Sequence, residues 1–566
     1  MVQLTHSEAT GVVPMSQPLH IPVLIAGGGP TGLVLAAELS RHGVPSLLAE
    51  RNEHTTAFPK MDITNSASME LLRRLGVDEE LRSVGVGPQF SFDVIFAPGL
   101  DGPELGRWSL PSAAEQRAAF AAVGDGSVPG EPWQRCSQAI FEAMMMDRAH
   151  RDPLVDVRQG WRLEHCVEVG GQVVAELADE TGRTLTVHAD YLVGCDGASS
   201  RARNQLGIGM EGPKDFLTIG LVHFRSRDLT NLHALGQFWH LFTPGGAILI
   251  AQNEIDTWTL HQDLGAQVED PDPIGDPHDF VARSLGRPIA IDEVLASSVW
   301  RPNALLADSY GRNRILLAGD AVHTVIPTGG YGMNTGLGDA INLGWKLAAV
   351  VNGWGGPELL TSYEIERRPI GERNRNAAVE NAVVHLQYRA MVDQRLITED
   401  SAAGRTHREE IARFVADNDA ENLSLGVELD VRYDDSPVVV SDGSAAPNWD
   451  RRRFVPTVRP GHHAPNVIFD DGTTLFDRFG PQFTVVDALG DPNQTALLLL
   501  EAERAGVPTR YVALTDPALT ALYDHRIVLV RPDLHIAWSG TDTTNAAEII
   551  ARVRGTNTAD ALPVDA

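Results

Sequence analysis

Short apolar runs and helical repeats alternate from the start of the chain. Residues 22–26, PVLIA, form an apolar run that reads as a buried parallel strand. GGGPTG follows, then LVLAAELSRHGV, which has helical spacing and stops at Gly43; PSLLAE is a second strand ending in Glu50. The pattern is a strand–turn–helix–strand unit. From Asp93 to about Pro132 the chain is turn-rich and weakly periodic, whereas QRCSQAIFEAMMMDRAH (134–150) predicts a helix. Residues 162–197 predict two or three hairpin strands, with turns at Gly170-Gly171 and Gly182. Between about 215 and 300, alternating segments such as LTIGLVHFRSR, AILIAQ and TWTLHQDL predict an antiparallel sheet with one wet face. A helical region is expected from Pro369 to about Asp417, and the polar, Pro- and Asp-rich stretch 418–455 reads as a linker. From about 456 the order strand–helix–strand–hairpin suggests a small independent α/β domain.

Composition narrows the partners. The chain has 566 residues, 43% of them hydrophobic, and a formal net charge of −29. That charge disfavours nucleic acid and anionic membranes, and no apolar run is long enough to span a bilayer. The first twenty residues read as a loose tail with no signal-peptide pattern. The three cysteines, Cys136, Cys166 and Cys195, fit no metal or CxxC spacing, which suggests reduced thiols in a cytoplasmic protein.

Two stretches carry chemistry. Gly27-x-Gly29-x-x-Gly32 lies between a strand and a helix, where glycines let backbone approach a pyrophosphate and the helix N-terminus offers free N–H groups. Glu50 lies 23 residues past Gly27, placed to accept from ribose hydroxyls. In RILLAGDAVHTVIPTGGYGMNTGLGDAINLGWKL (314–347) a charged Asp320 ends a buried strand, and a loop with Pro327, Gly329, Gly330 and Gly332 follows before a helix. A polar group is expected there, close to the main chain. A third motif, CDGASSRAR, contains Asp196-Gly197, Ser200 and Arg203.

These three motifs, in this order and spacing, resemble the single-component FAD-dependent aromatic hydroxylases. The chain looks most like their phenol 2-monooxygenase and 2,4-dichlorophenol 6-monooxygenase branch. The resemblance covers about residues 21–390, and RPGHHAPN with LVRPDLHIAW extends it to that branch's thioredoxin-like domain. It implies an α/β protein: a flexible tail at 1–20, and a Rossmann-like FAD-binding domain at 21–400. An inserted antiparallel β-sheet substrate domain is expected at about 90–132 and 215–300. A linker at 401–455 and a thioredoxin-like domain at 456–566 follow. That last domain holds no cysteine, so dithiol chemistry is excluded.

The resemblance also assigns roles. Gly27, Gly29, Pro30, Thr31, Gly32, Glu50 and Arg51 would hold the ADP half of FAD, with Lys60 where many relatives have arginine. Gln138 falls at a flavin-contacting glutamine. Asp196 and Gly197 match the motif that touches both FAD and the nicotinamide. Asp320 would bind the ribityl chain or ribose. Pro327, Gly329, Gly330, Gly332, Met333 and Asn334 would surround the flavin, with Asn334 at its edge. The helix after Gly338 would direct its positive end at the pyrimidine. Ile341, Trp345 and Ala348 make a packed face, so Trp345 and Lys346 read as structural. Asp62 matches an active-site aspartate: the family's flavin hydroperoxide is electrophilic, a phenol attacks it best as phenolate, and a base that draws off the phenolic proton raises the rate. Asp62 also fits a plain helix-start or loop acceptor. His223, Arg225, Trp239 and Tyr331 are candidate substrate contacts, with His240, Trp258 and His261 as further lining candidates; on alternating strands most such residues are core. No metal is expected, because His462-His463 lacks a third ligand.

The reading is a monooxygenase that uses FAD, NADPH or NADH, and O2 to hydroxylate a phenolic ring next to its hydroxyl. The resemblance implies no second Rossmann domain, so the nicotinamide cofactor would bind transiently. A dimer or tetramer is expected from the family. Baeyer–Villiger oxygen insertion on a polyketide-like substrate and a flavin-binding scaffold without turnover are the alternatives.

Overall fold

The computed structural model describes residues 19–60 and 62–556. Of the tail expected over 1–20, residues 1–18 lie outside the described residues, and Leu19 and His20 already belong to the first strand. Leu19, His20 and Ile21 pair with Val187, His188 and Ala189, so the ladder begins before the apolar run.

Five parallel strands form the first sheet, in the order Ile315–Leu317, Thr184–Gly194, Leu19–Ala26, Ser46–Glu50 and Val155–Gln159. Val23, Leu24, Ile25, Leu47 and Leu48 have no exposed surface, as continuous apolar runs in a doubly covered sheet require. Hairpin strands Trp161–Val169 and Gln172–Asp179 extend it. Helices Pro30–Arg41, Gln138–Arg151 and Tyr331–Val351 pack on and beside this sheet. The helix expected from 134 starts at Gln138; Gln134-Arg135 instead pair with Ile63-Thr64 in a short ladder.

The second sheet has seven strands: Glu293–Trp300, Thr218–Arg225, Thr257–Gly265, Ala247–Ala251, His240–Phe242, Val94–Phe96 and Gly106–Trp108. All neighbours are antiparallel except His240–Phe242 with Val94–Phe96. One face is apolar: Val222, Phe224, Leu249, Trp258 and Leu260 pack on Phe280, Val281 and Leu285.

Helix Glu358–Met391 begins before Pro369 and runs through it. The expected linker is built into the body, because it supplies buried polar and apolar groups. It contains helices Ala402–Asp417 and Leu425–Leu429, and Glu421, Glu428, Tyr433 and Val438 are buried. The C-terminal sheet runs Thr509–Ala513, Phe483–Asp487, Ile527–Val530 and Ile536–Gly540, with helices Pro492–Arg504 and Ala546–Val553 beside it. This unit is not independent. Phe483, Val485 and Ile550 share one core with Trp345, Ala349 and Leu359. Arg531 and Asp533 enter that interface, where Arg531 meets both Glu366 oxygens at 2.7 and 2.8 Å. Lys346 Nζ donates to Glu366 at 2.6 Å, and Asn342 Nδ2 donates to Asp533 at 2.9 Å.

Candidate active site

The first turn is built for close backbone contact. Gly27 has φ +114°, and a β-carbon there would stand 2.3 Å from the Cys195 carbonyl oxygen; one on Gly32 would stand 2.0 Å from that of Gly27. Only glycine fits either position. A β-carbon on Gly29 would meet nothing within 4 Å, because it faces the open cleft. The helix starting at Pro30 has no side-chain cap, so its first amides are free for an anion. Glu50 is fixed by Gly28 N–H at 2.7 Å and Asn52 N–H at 2.9 Å. Arg51 stands exposed beside it. Thr31 turns inward: its hydroxyl lies against Gly319 and Gly336.

The other two motifs converge on the same cleft. Asp196 accepts the Arg201 and Ala202 amides at 2.7 and 3.2 Å, and Gly197 has φ +80°. Arg203 donates to the Ala321 carbonyl at 2.9 Å and to that of Ala198 at 2.9 Å, tying the second motif to the third. Asp320 presents an accessible carboxylate in the cleft, whose crowding raises its pKa against the pull of His323 and Lys60. Lys60 is exposed and its charge also reaches Glu142, which holds Gln138 Nε2 at 2.6 Å.

Pro327 is exposed, and Gly329 and Gly330 both have positive φ, +76° and +66°. The loop is clamped from behind. Gly329 N–H donates to Glu421 at 3.0 Å, and Glu421 holds His385 Nε2 at 2.5 Å. Met333 and Gly332 are half-buried at the helix start. Asn334 is spent internally: its Nδ2 donates to the Gly330 and Ile63 carbonyls at 2.6 and 3.2 Å, and its Oδ1 accepts Asn65 N–H at 3.1 Å. It fixes the short strand that follows Asp62, Ile63–Thr64, against the glycine loop.

Asp62 lies where that strand meets the second sheet. Its Oδ2 accepts Trp239 Nε1–H at 2.6 Å and lies 3.3 Å from His240 Nε2. Burial would raise its pKa, but His240, the Trp239 hydrogen bond and the Arg135 charge outweigh it and hold the carboxyl below its ordinary value. Arg135 is held in turn by Glu254 at 2.5 Å and the Ala251 carbonyl at 2.6 Å.

The remaining substrate candidates separate. His223 is buried on the Asp62 side of the sheet, with Nδ1 3.0 Å from the Trp258 carbonyl and Thr259 Oγ1. Arg225 lies at the strand end, exposed and paired with Glu293 at 2.9 Å, so its charge is already matched. Trp258 belongs to the opposite, apolar face, and Tyr331 packs among Ile326, Ala377 and Val427. The motifs gave no hint of Glu421 or His385, which sit at no fixed spacing from any of them.

FAD fits this cleft: free helix amides, the bare Gly29 face and the Asp320 carboxylate match pyrophosphate and polyol. The family model described as FAD binding domain matches residues 20–378. The chain is 39% identical over 565 residues to the FAD-dependent monooxygenase apdD of Emericella nidulans, covering 94% of this chain and 90% of that one. It is 26% identical over 551 residues to phenol 2-monooxygenase of a Pseudomonas species, covering 91% and 89%. The solved structure of the flavin-dependent monooxygenase PieE with FAD and substrate superposes with a TM-score of 0.86 at 25% identity, covering 96% of this chain and 100% of that one. The chain belongs to this FAD-binding family. It is an FAD-dependent monooxygenase of aromatic or polyketide substrates.

Proposed function

We propose that the chain hydroxylates a phenolic ring next to its hydroxyl, with NAD(P)H as reductant and Asp62 as the group that receives the phenol. The observation that carries this reading is the Asp62 carboxylate. Its Oδ2 is taken by Trp239 and His240, while Oδ1 has no hydrogen-bond partner among the described residues. Bound FAD supplies the oxygen-activating chemistry. Asp62, ionised at neutral pH, accepts the phenolic O–H and draws its proton, which concentrates electron density on the ring. His240 and Trp239 keep the carboxylate oriented. Asn334 holds the strand that follows Asp62 and the glycine loop in register, so ring and flavin are set against each other.

Asp62→Asn tests this. FAD should stay bound, and hydroxylation should slow about a hundredfold, as loss of a general base does. The loss should shrink as the pH approaches the phenol's own pKa of about 10. Turnover equal to the parent at every pH would remove Asp62 from the mechanism.

A further inference from the structure

The Asp62 side of the second sheet continues well past Asp62. His240, Ile250, Thr259 and His223 line up in register across four strands. The next row is Phe242, Ile248, His261 and Leu221. His261 therefore stands two strands from the one carrying His240, about 10 Å away at ordinary strand spacing.

His261 has no hydrogen-bond partner among the described residues. Its Nδ1 is buried and unbonded, and its ring meets Trp300 edge-on at 5.8 Å, where Trp300 Nε1 is also buried and unbonded. Native proteins leave few such groups unmatched, and those they leave call for an explanation. His223, one strand further, has by contrast its Nδ1 engaged by the Trp258 carbonyl and Thr259 Oγ1. Burial lowers the His261 pKa to about 4 against the pull of Asp62, with His240 and His223 lowering it further, so the ring is neutral.

The arginines on or against this face are also spoken for. Arg225 is matched by Glu293, Arg135 by Glu254 and Arg389 by Asp263, at 2.9, 2.5 and 2.5 Å. A substrate carboxylate would find no spare cation among them.

We propose that His261, backed by Trp300, is a distal hydrogen-bonding subsite for an extended, uncharged polycyclic aromatic whose hydroxyl or carbonyl lies about 10 Å from the ring held at Asp62. This rests on the reading that Asp62 receives the reacting phenol. The FAD-loaded full chain is titrated with phenol, a dihydroxyanthraquinone and the same anthraquinone bearing a carboxylate, with flavin absorbance as the readout. The dihydroxyanthraquinone should bind at least tenfold more tightly than its carboxylated analogue. In His261→Leu the ratio of anthraquinone to phenol affinity should fall about tenfold, the loss of one good hydrogen bond, and His261→Gln should restore most of it. An unchanged ratio, tighter binding of the carboxylated analogue, or no flavin response to any anthraquinone overturns the subsite. Asp62→Asn is titrated in parallel. If it leaves phenol binding and turnover intact, the Asp62 reading fails, whereas an unchanged ratio in His261→Leu sinks the subsite alone.

Discussion

Two carboxylates, one buried and one half-buried, show how the molecule divides its charges. At the C-terminal interface, Glu366 receives Arg531 on both oxygens, with Lys346 and Asn342 on Oε2 and the Ser436 hydroxyl on Oε1. It has no capacity left, and its neighbouring cations hold it well below the ordinary carboxylate range against the cost of burial. Asp62 is also charged, yet one oxygen is left without a hydrogen-bond partner among the described residues. The first cluster can only lock two parts of the chain together. The second can still bind something. What separates the two is saturation: one charge has every acceptor filled, the other an oxygen to spare.

The largest test of this contrast is Arg531→Met. It leaves Glu366 and Asp533 buried with less than their counter-charge, which costs about 3–5 kcal/mol. Denaturant unfolding should show that loss, and FAD should be released at lower denaturant, because helix Tyr331–Val351 carries both Lys346 and the flavin end. Full stability would mean the interface holds by its apolar core alone.

Glu70 sharpens the comparison from the other side. It too is buried, but the donors on its Oε1 are neutral, Gly130 N–H at 2.7 Å and Asn466 Nδ2 at 2.8 Å, while Oε2 makes no hydrogen bond and lies 3.6 Å from His463 Nε2. Burial raises its pKa to about 7. A raised carboxyl contributes stability that is complete below the unfolded value near 4.5 and is lost as pH rises through about 7. Glu70→Gln should therefore stabilise the fold at pH 8 by about 1–3 kcal/mol and leave pH 4.5 nearly unchanged. Equal effects at both pH values would show that Glu70 stays ionised throughout.

The contrast also explains what could be read in advance. Glycine motifs are legible because backbone approach demands glycine whatever surrounds it, so Gly27, Gly32, Gly329 and Gly330 announced the cleft in the sequence alone. Strand alternation announced the second sheet. Asp62 was legible through its resemblance, but not its partners, since Trp239 and His240 lie more than 170 residues away in the chain. Glu421 was hidden in a stretch polar enough to read as linker, and only the fold puts it under Gly329. The C-terminal unit looked independent because strand order is local, whereas the shared core of Phe483 and Trp345 is not.

The smallest expected effect belongs to Arg225. As a cation on a strand bordering the site, it reads in sequence as a substrate anchor. The structure puts it at the strand end, half-exposed, with Glu293 equally open at 2.9 Å. Exposed pairs of this kind contribute about 0–1 kcal/mol. Its matched charge leaves it little attraction for a ligand. Arg225→Gln should change unfolding free energy by no more than about 0.5 kcal/mol. Affinity for phenol, measured by flavin absorbance, should stay within about twofold. A tenfold loss would show that Arg225 reaches the bound ligand, and would overturn the inference that the arginines bordering this face are spent on their own partners.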